Sequence, residues 1–274
     1  MTTSRAAGDG SAYARRMSVD PALLKLTKTI EEGQPWPRPR CPSCMEGYIH
    51  FSEPVEHESH ESIVARDNPY FEPEFTVGTF LVQGQCENAG CKQIVHGVGD
   101  YSVAYSQQSH RELLDEGYVA YSDYYDVASC HPPLWMMTIP ESAPEEVREG
   151  MRRASRVFFA DPSLAATALR GTVERFLTSE GISAVRPSGQ FRSAHQRIEE
   201  WRAADPSRER VADLLLAVKW LGNAGTHEAS DLSYEEVLDG ARVLDEAFYA
   251  LFTSASIDAQ ARAINAAKGP PRQP

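Results

Sequence analysis

Four of the five cysteines form two close pairs along the chain. Two residues separate Cys41 from Cys44 in "CPSC", and four separate Cys86 from Cys91 in "CENAGC". Each pair can sit on a turn and direct both thiolates at one ion, so two such turns complete a tetrahedral site of four thiolates. The β-prone runs "GYIHF", "EFTVGTFLVQG" and "QIVHGVG" flank the pairs, as strands flank the knuckles of a zinc ribbon.

This spacing predicts one structural Zn²⁺ bound by Cys41, Cys44, Cys86 and Cys91. The alternative is four unrelated buried thiols, which would leave the proline, glycine and asparagine residues at the turns unexplained. A catalytic zinc is not expected, because four thiolates leave no open position for water.

Two other groups of metal-ligand residue types are interpreted as structural. His57 and His60 lie among four glutamates in "EHESHES" and its surroundings, which is typical of a solvated acidic loop. Cys130 and His131 precede "PPLW" and have no cysteine partner nearby, so both are predicted to be packing residues.

The stretch "KWLGNAGTH" carries the second set of chemical groups, namely Lys219, Asn223 and His227. Gly222 or Gly225 in a left-handed conformation would end the preceding helix there, with His227 near the helix dipole. The alternatives are a binding surface and a catalytic site, in which His227 would be the acid-base residue.

Arg170 and Glu174 lie four residues apart within a second helical pattern. Such a pair is typical of a surface ion pair. Apolar residues surround the pair in the sequence, which favours a position facing the bundle interior. The alternative to a surface ion pair is therefore a polar pocket that the two residues share with Asn223 and His227.

A stripe of arginines is the candidate nucleic-acid-binding surface. Arg148, Arg152 and Arg156 follow one another at four-residue intervals, so they share one helical face. The alternative is a solvated face that is balanced by Glu145, Glu146 and Glu149.

The apolar periodicity predicts an α+β protein, in which a small β-rich, zinc-ribbon-like module precedes an antiparallel α-helical bundle. Five helical segments are expected after the proline-rich connector, and Ser142 is the expected N-cap of the first. The predicted divisions are a tail and short helix (1–35), the β module with its acidic insertion (36–130), the connector (131–143), the bundle (144–257) and a C-terminal tail (258–274).

Composition limits the function classes. The 274 residues are 42% apolar and carry a net charge of −12, so any contact with nucleic acid must be local. The chain shows neither a signal-peptide pattern nor eighteen consecutive apolar residues, which predicts a cytoplasmic protein without a membrane partner.

The order of the two cysteine pairs, "PPLW", "TIPESAPEEV", "DPSLAATALRGTVERFL" and "KWLGNAGTHE" resembles the domain-of-unknown-function family 4145, one of the HEPN-like helical bundles. The resemblance covers about residues 130 to 255, and its most specific parts are Arg170 with Glu174 and Asn223 with His227. It implies a HEPN-like bundle that works near nucleic acids, often in bacterial defence or attached to restriction enzymes.

HEPN ribonucleases resemble one another in an Arg and a His that are four to six residues apart. This chain departs from that pattern, because the nearest cation before His227 is Lys219, eight residues away. Lysine is also a poorer bidentate clamp for phosphate than arginine.

The sequence therefore favours a non-catalytic adaptor that binds nucleic acid or a defence-system protein. The first alternative is a metal-independent ribonuclease with His227 as acid-base residue, and the second is a scaffold that binds protein only. A homodimer through the helical bundle is a further expectation.

Overall fold

The computed structural model describes residues 19–106, 121–226 and 232–254, together with residues 262, 265 and 266. Within these ranges the protein is α+β, as expected: an antiparallel sheet is followed by several helices. The first element in the described part of the chain is a short helix, α1 (Pro21–Leu26), whose N-cap Asp20 accepts a hydrogen bond from the Ala22 amide at 2.9 Å.

Six strands form the sheet in the described part of the chain. They are β1 (Ile30–Glu31), β2 (Ile49–Phe51), β3 (Val55–Glu58), β4 (Val77–Cys86), β5 (Ile94–Tyr105) and β6 (Tyr121–His131). The strand order is β1-β6-β5-β4-β2, and β3 also pairs with β4. The sheet thus begins at Ile30, within the segment that the sequence assigns to a tail and short helix.

The acidic segment "EHESHES" is mostly exposed to solvent, as its charge predicts, but it is not a loop. Val55–Glu58 pairs with β4, and His60–Ala65 forms a short helix, α2. Ser59 caps α2 by accepting a hydrogen bond from the Ser62 amide at 3.1 Å, and Glu58 pairs with Arg66 at 2.7 Å. Local capping and pairing therefore order a segment whose composition alone indicates a loop.

Five long α-helices follow the sheet between residues 121 and 254 as described, one for each predicted amphipathic segment. They are α3 (Glu145–Val157), α4 (Pro162–Ser179), α5 (Ala194–Ala203), α6 (Glu209–Ala224) and α7 (Tyr234–Phe248), and the last continues as a π-helical turn (Tyr249–Ser254). Asp161, Ser193 and Ser233 cap α4, α5 and α7 with their side chains. In the described ranges, none of the helices has the length and apolar content needed to cross a membrane.

The expected N-cap of α3 is wrong. Pro144, not Ser142, occupies that position, and no side chain caps the helix. The Ser142 hydroxyl instead donates a hydrogen bond to the Phe252 carbonyl at 3.1 Å. A contact with the distant π-helical turn thus takes the place of the local capping box.

One hydrophobic core joins the sheet to the helices. The connector between them contributes Leu134, Met136 and Met137, each at most 1% exposed. The Met136 amide also donates a hydrogen bond to the Ser155 hydroxyl of α3 at 3.2 Å. The connector is therefore an integral part of the core, which fixes the β module against α3.

Candidate metal centre and cationic cavity

The four paired cysteines come together at one end of the sheet. The Sγ atoms of Cys41 and Cys91 lie 3.7 Å apart, as do those of Cys44 and Cys86, and all four lie within 4.8 Å of one another. A tetrahedral ion with metal–sulfur bonds of about 2.3 Å would hold sulfur atoms about 3.8 Å apart. The four thiols are free and far beyond the disulfide bond length of about 2.05 Å. The cluster therefore fits a tetrahedrally coordinated metal ion.

The strand register explains how the two pairs meet. Cys86 ends β4 opposite Ile49 at the start of β2, and β5 begins shortly after Cys91. Gly47 permits the close approach of the two turns, because a Cβ there would lie 2.7 Å from Cys86 Sγ and 2.9 Å from Asn88 Cβ. The antiparallel pairing thus places two local turns face to face.

Backbone amides in the turn of Cys41 and Cys44 favour the negatively charged thiolate form of these cysteines. The amides of Ser43 and Gly47 each point at a sulfur, at 3.4 Å from Cys41 Sγ and Cys44 Sγ respectively. Hydrogen bonds from the Gly47 and Glu46 amides lower the pKa of Cys44 to about 6. Burial raises the pKa of Cys41, and it raises that of Cys86 to about 12. Full deprotonation of the cluster at neutral pH therefore needs a cation to compensate the charge.

The cluster is also connected to the segment that leads into the helices. Trp135 Nε1 donates a hydrogen bond of 2.7 Å to the Pro42 carbonyl, between the first two cysteines. A metal that holds the Cys41 turn in place would consequently hold the connector as well.

The remaining sulfur and imidazole groups lie outside this cluster. Cys130 is 8% exposed, and burial raises its pKa to about 12, in agreement with a packing residue. His131, which was also predicted to pack, is exposed instead because it ends β6. Among the residues that the structure describes, the four cysteines are the one group with metal-ligand geometry.

The predicted helix end at "GNAGTH" has a different structure from the one expected. Helix α6 continues through Gly222 and Asn223 to Ala224, and Gly225 has a φ of −65°, in the right-handed region. The prediction of a left-handed glycine is therefore wrong. His227 lies outside the described residues.

Close packing against α4 is the physical reason for these glycines. A Cβ on Gly222 would lie 2.4 Å from Arg170 Cβ and 2.8 Å from the Ala166 carbonyl oxygen. A Cβ on Gly225 would lie 2.6 Å from the Ser163 carbonyl oxygen. The glycines thus allow the backbone of α6 to pack directly against α4.

Several of the predicted polar residues meet at one cavity. Arg170 and Glu174 form an ion pair of 3.0 Å on α4, with side chains 31% and 36% exposed. Together with Lys219 and Asn223 of α6, they line a cavity of about 240 Å³. The structure thereby brings together Arg170, Glu174 and Asn223, the three described residues of the predicted polar pocket, and it places Lys219 beside them.

The same cavity contains two arginines that the sequence does not single out. Arg192 precedes α5 and Arg197 lies within it, and they are 7% and 2% exposed. Arg192 Nη1 donates to both carboxylate oxygens of Glu200 at 2.8 Å, whereas its buried Nε has no partner among the described residues. Arg197 donates only to neutral oxygens, those of Ile182, Glu174 and Thr178.

Lys219 is the least compensated cation of the cavity. It is 7% exposed and forms no ion pair or hydrogen bond with any described residue, while its Nζ lies 3.1 Å from the centroid of the Trp220 ring. Burial, followed by the nearby charge of Arg170, lowers its pKa. No periodic signal could identify this set, because its members come from α4, α5, α6 and the loop before α5.

The arginine stripe on α3 is paired with acidic residues of the same helix. Arg148 pairs with Glu145, Arg152 with Glu145 at 2.8 Å, and Arg156 with Glu149 at 2.8 Å. Phosphate groups would have to compete with these carboxylates.

Comparisons with known proteins match two parts of the chain. Residues 152–267 match the family model of a domain of unknown function (DUF4145), in agreement with the resemblance noted in the sequence. Residues 30–127 match the model of another domain of unknown function (DUF8608). No curated protein and no solved structure matches the chain.

Proposed function

We propose that the protein is a non-catalytic, cytoplasmic adaptor that binds nucleic acid through its helical part and carries a structural Zn²⁺ in its β module. The observation that carries this proposal is the cavity between α4, α5 and α6. Arg170, Arg192, Arg197 and Lys219 line it in a chain with a net charge of −12. Such a local concentration of cations is what phosphate binding requires.

Zinc is the metal that best suits four thiolates in tetrahedral geometry in a reducing compartment. In our proposal the β module is a zinc-ribbon-like element, and the ion has a structural role. It would hold the two turns together and, through Pro42 and Trp135, the connector.

The helical part is proposed to be a HEPN-like bundle that has kept its packing and lost its catalytic pair. The position that an arginine would occupy before His227 falls on α6, where Trp220, Leu221 and Gly222 stand. The resemblance to domains attached to restriction enzymes supports a role in bacterial defence, with a second copy of the chain or a defence-system protein as further partners.

Binding of labelled RNA and DNA at several salt concentrations, measured by fluorescence anisotropy, tests the proposal. The logarithm of the binding constant should fall linearly with the logarithm of salt concentration, by about 0.7 to 0.9 for each phosphate contacted. An Arg170→Gln, Lys219→Met variant should reduce the slope. Absence of binding at low salt would refute the nucleic-acid role and leave the scaffold that binds protein only.

A second candidate function, a metal-independent ribonuclease, is favoured by one observation. Lys219 and Asn223, which were predicted as catalytic partners of His227, both line the cationic cavity. A cation and an amide at one cavity are groups that can stabilise a developing phosphorane charge. Cleavage assays on a His227→Ala variant separate this candidate from the adaptor.

A further inference from the structure

We infer that a second cavity, formed by the sheet, binds the ammonium groups of an aliphatic amine. This sheet cavity has a volume of about 680 Å³, within the range of about 300 to 1,000 Å³ that is typical of small-molecule sites. Glu31 of β1, Phe51 of β2, Glu56 of β3 and Tyr125 of β6 all line it. Because β1 and β2 stand at opposite ends of the strand order, the sheet must curl to bring both to one cavity.

An aromatic wall forms one part of the sheet cavity. Trp36, Phe51 and Tyr125 line it, and the Trp36 ring centroid lies 5.6 Å from that of Phe51 and 6.0 Å from that of Tyr125. Trp36 is half-buried, whereas Phe51 and Tyr125 are buried. The face of an aromatic ring attracts a cation and also packs against methylene groups. The wall therefore suits a ligand that carries positive charge on an alkyl chain.

Carboxylates without a cationic partner supply the negative charge of the sheet cavity. Three that line it are exposed to solvent and form no ion pair with any residue that the structure describes: Glu32, Glu53 and Glu56. Arg38 also lines the cavity, but it pairs with Glu87, which does not. His50 is exposed and likewise pairs with no described carboxylate. The charges of this cavity thus favour a cationic ligand.

Neighbouring groups register the same negative potential. Glu56 Oε1 accepts a hydrogen bond of 2.5 Å from the Tyr125 hydroxyl, and burial followed by the effect of Glu56 raises the pKa of that tyrosine. Burial raises the pKa of Asp123 on β6, and the charges of Glu56 and Glu32 raise it further. A bound cation would relieve this repulsion between carboxylates.

The spread of the carboxylates favours an organic cation over a metal ion. Within the described ranges, the group with metal-ligand geometry consists of four cysteines and includes no carboxylate of the sheet cavity. A linear amine can place ammonium groups at separate carboxylates, while its methylene groups contact the aromatic wall. The ammonium groups can belong to a free polyamine or to lysine side chains of a partner protein.

Calorimetric titration of the full chain with its bound metal tests the inference, at a salt concentration of about 0.15 M to screen the general surface charge. Putrescine and Mg²⁺ carry the same two charges, so the comparison separates recognition of an amine from attraction to an acidic protein. We expect putrescine to bind at one site and Mg²⁺ neither to bind there nor to displace it. Titrations with spermidine and with a trilysine peptide identify the source of the ammonium groups.

Variants assign the binding to the sheet cavity. Glu53→Gln, Glu56→Gln should weaken putrescine binding by about tenfold or more, as expected when charge-assisted hydrogen bonds are lost. Its melting temperature should be unchanged, because both side chains are exposed and glutamine can still accept the hydrogen bond from Tyr125. Glu61→Gln, Glu72→Gln is the matched control, since it removes two exposed carboxylates that do not line the cavity.

Trp36→Leu tests the aromatic wall separately. It keeps an apolar side chain, and we expect it to weaken putrescine binding by about twofold to fivefold through the loss of cation–π attraction. Its melting temperature verifies that the variant is folded. Full putrescine affinity in folded Trp36→Leu protein would contradict the role of the wall.

Equal binding of putrescine and Mg²⁺ by the unaltered protein would overturn the inference, and so would equal losses in the two double variants. Tighter binding of spermidine than of the trilysine peptide would support a free polyamine as the ligand, and the reverse order would support a lysine-bearing partner. The titrations contain no nucleic acid, so their outcome is independent of the proposed function.

Discussion

Gly222 of α6 lies directly against Arg170 of α4, so that a methyl group on the glycine would come within 2.4 Å of Arg170 Cβ. The absence of a side chain on one helix thus makes room for the start of a long cationic side chain on the next. Because Arg170 goes on to line the cavity with Lys219, this contact connects the packing of two helices to the placement of charge.

The Gly222→Ala substitution should lower the free energy of unfolding by about 1 to 3 kcal/mol, the usual cost of overpacking a close contact. The nearest atoms are Arg170 Cβ and the Ala166 carbonyl oxygen, neither of which can move without shifting the backbone of α4. Denaturant unfolding followed by circular dichroism measures the change.

Gly171→Ala is the matched control for that experiment. Gly171 lies in the interior of α4, and a Cβ there meets nothing within 4 Å. Alanine should raise the free energy of unfolding by about 0.5 to 1 kcal/mol, because glycine is a poor helix former. Similar effects of the two substitutions would contradict the packing role assigned to Gly222.

The metal centre was predictable from sequence for a physical reason. Each pair is a local turn, so the spacing of Cys41 and Cys44 and of Cys86 and Cys91 already restricts where their thiols can point. The sheet adds only the register that brings the turns together. The five helices were similarly predictable, because their apolar periodicity and their caps at Asp161, Ser193 and Ser233 are local signals.

Tertiary contacts decided the features that the sequence did not predict. Gly222 and Gly225 are typical of helix ends, yet contacts with α4 explain them without any left-handed residue. Ser142 has the sequence of an N-cap, but a hydrogen bond to Phe252 draws it away. Arg192 and Arg197 line the cavity because of the way α5 packs. The spacing of residues along the sequence does not predict that packing.

Metal analysis of protein never exposed to chelator should find about one zinc per chain, as four thiolates bind one ion. A Cys41→Ser, Cys86→Ser variant should lose the metal and destabilise the β module, since binding of a structural metal is coupled to folding. Cys130→Ala is the control, because this buried thiol lies outside the cluster. Full zinc in the double variant would remove the assignment.

Acidification should make that zinc easier to remove. Metal binding requires deprotonated thiols, and burial raises the pKa values of Cys41 and Cys86 in the metal-free protein. Protons therefore compete with the ion more strongly as the pH falls, so chelator should extract zinc faster at pH values of about 5 than at about 8. Extraction that is independent of pH would indicate ligands other than thiolates.

Replacing Arg148, Arg152 and Arg156 together by glutamate tests the stripe on α3. If these residues contact phosphates, the variant should bind nucleic acid more weakly, and the salt slope should fall by about 0.9 for each duplex phosphate contact that is lost. Arg242→Glu on α7 is the control, because Arg242 likewise pairs with an acidic residue of its own helix, Asp239. Unchanged affinity and slope would exclude the stripe and leave the cavity between α4, α5 and α6 as the proposed nucleic-acid-binding site.

His227 decides between the adaptor and the ribonuclease. We expect no RNA cleavage by the purified protein without added metal, and little effect of His227→Ala on the melting temperature. A catalytic histidine would instead show as cleavage that falls by about 100-fold or more in the variant, the usual loss on removing a general acid-base residue. Lys219→Met would then also reduce cleavage, because the lysine would replace the missing arginine in stabilising the phosphate charge.

Contaminating ribonucleases are common, so only a loss in variants prepared identically to the unaltered protein counts as catalysis. Cleavage that persists in both variants would belong to a contaminant, and the adaptor function would stand.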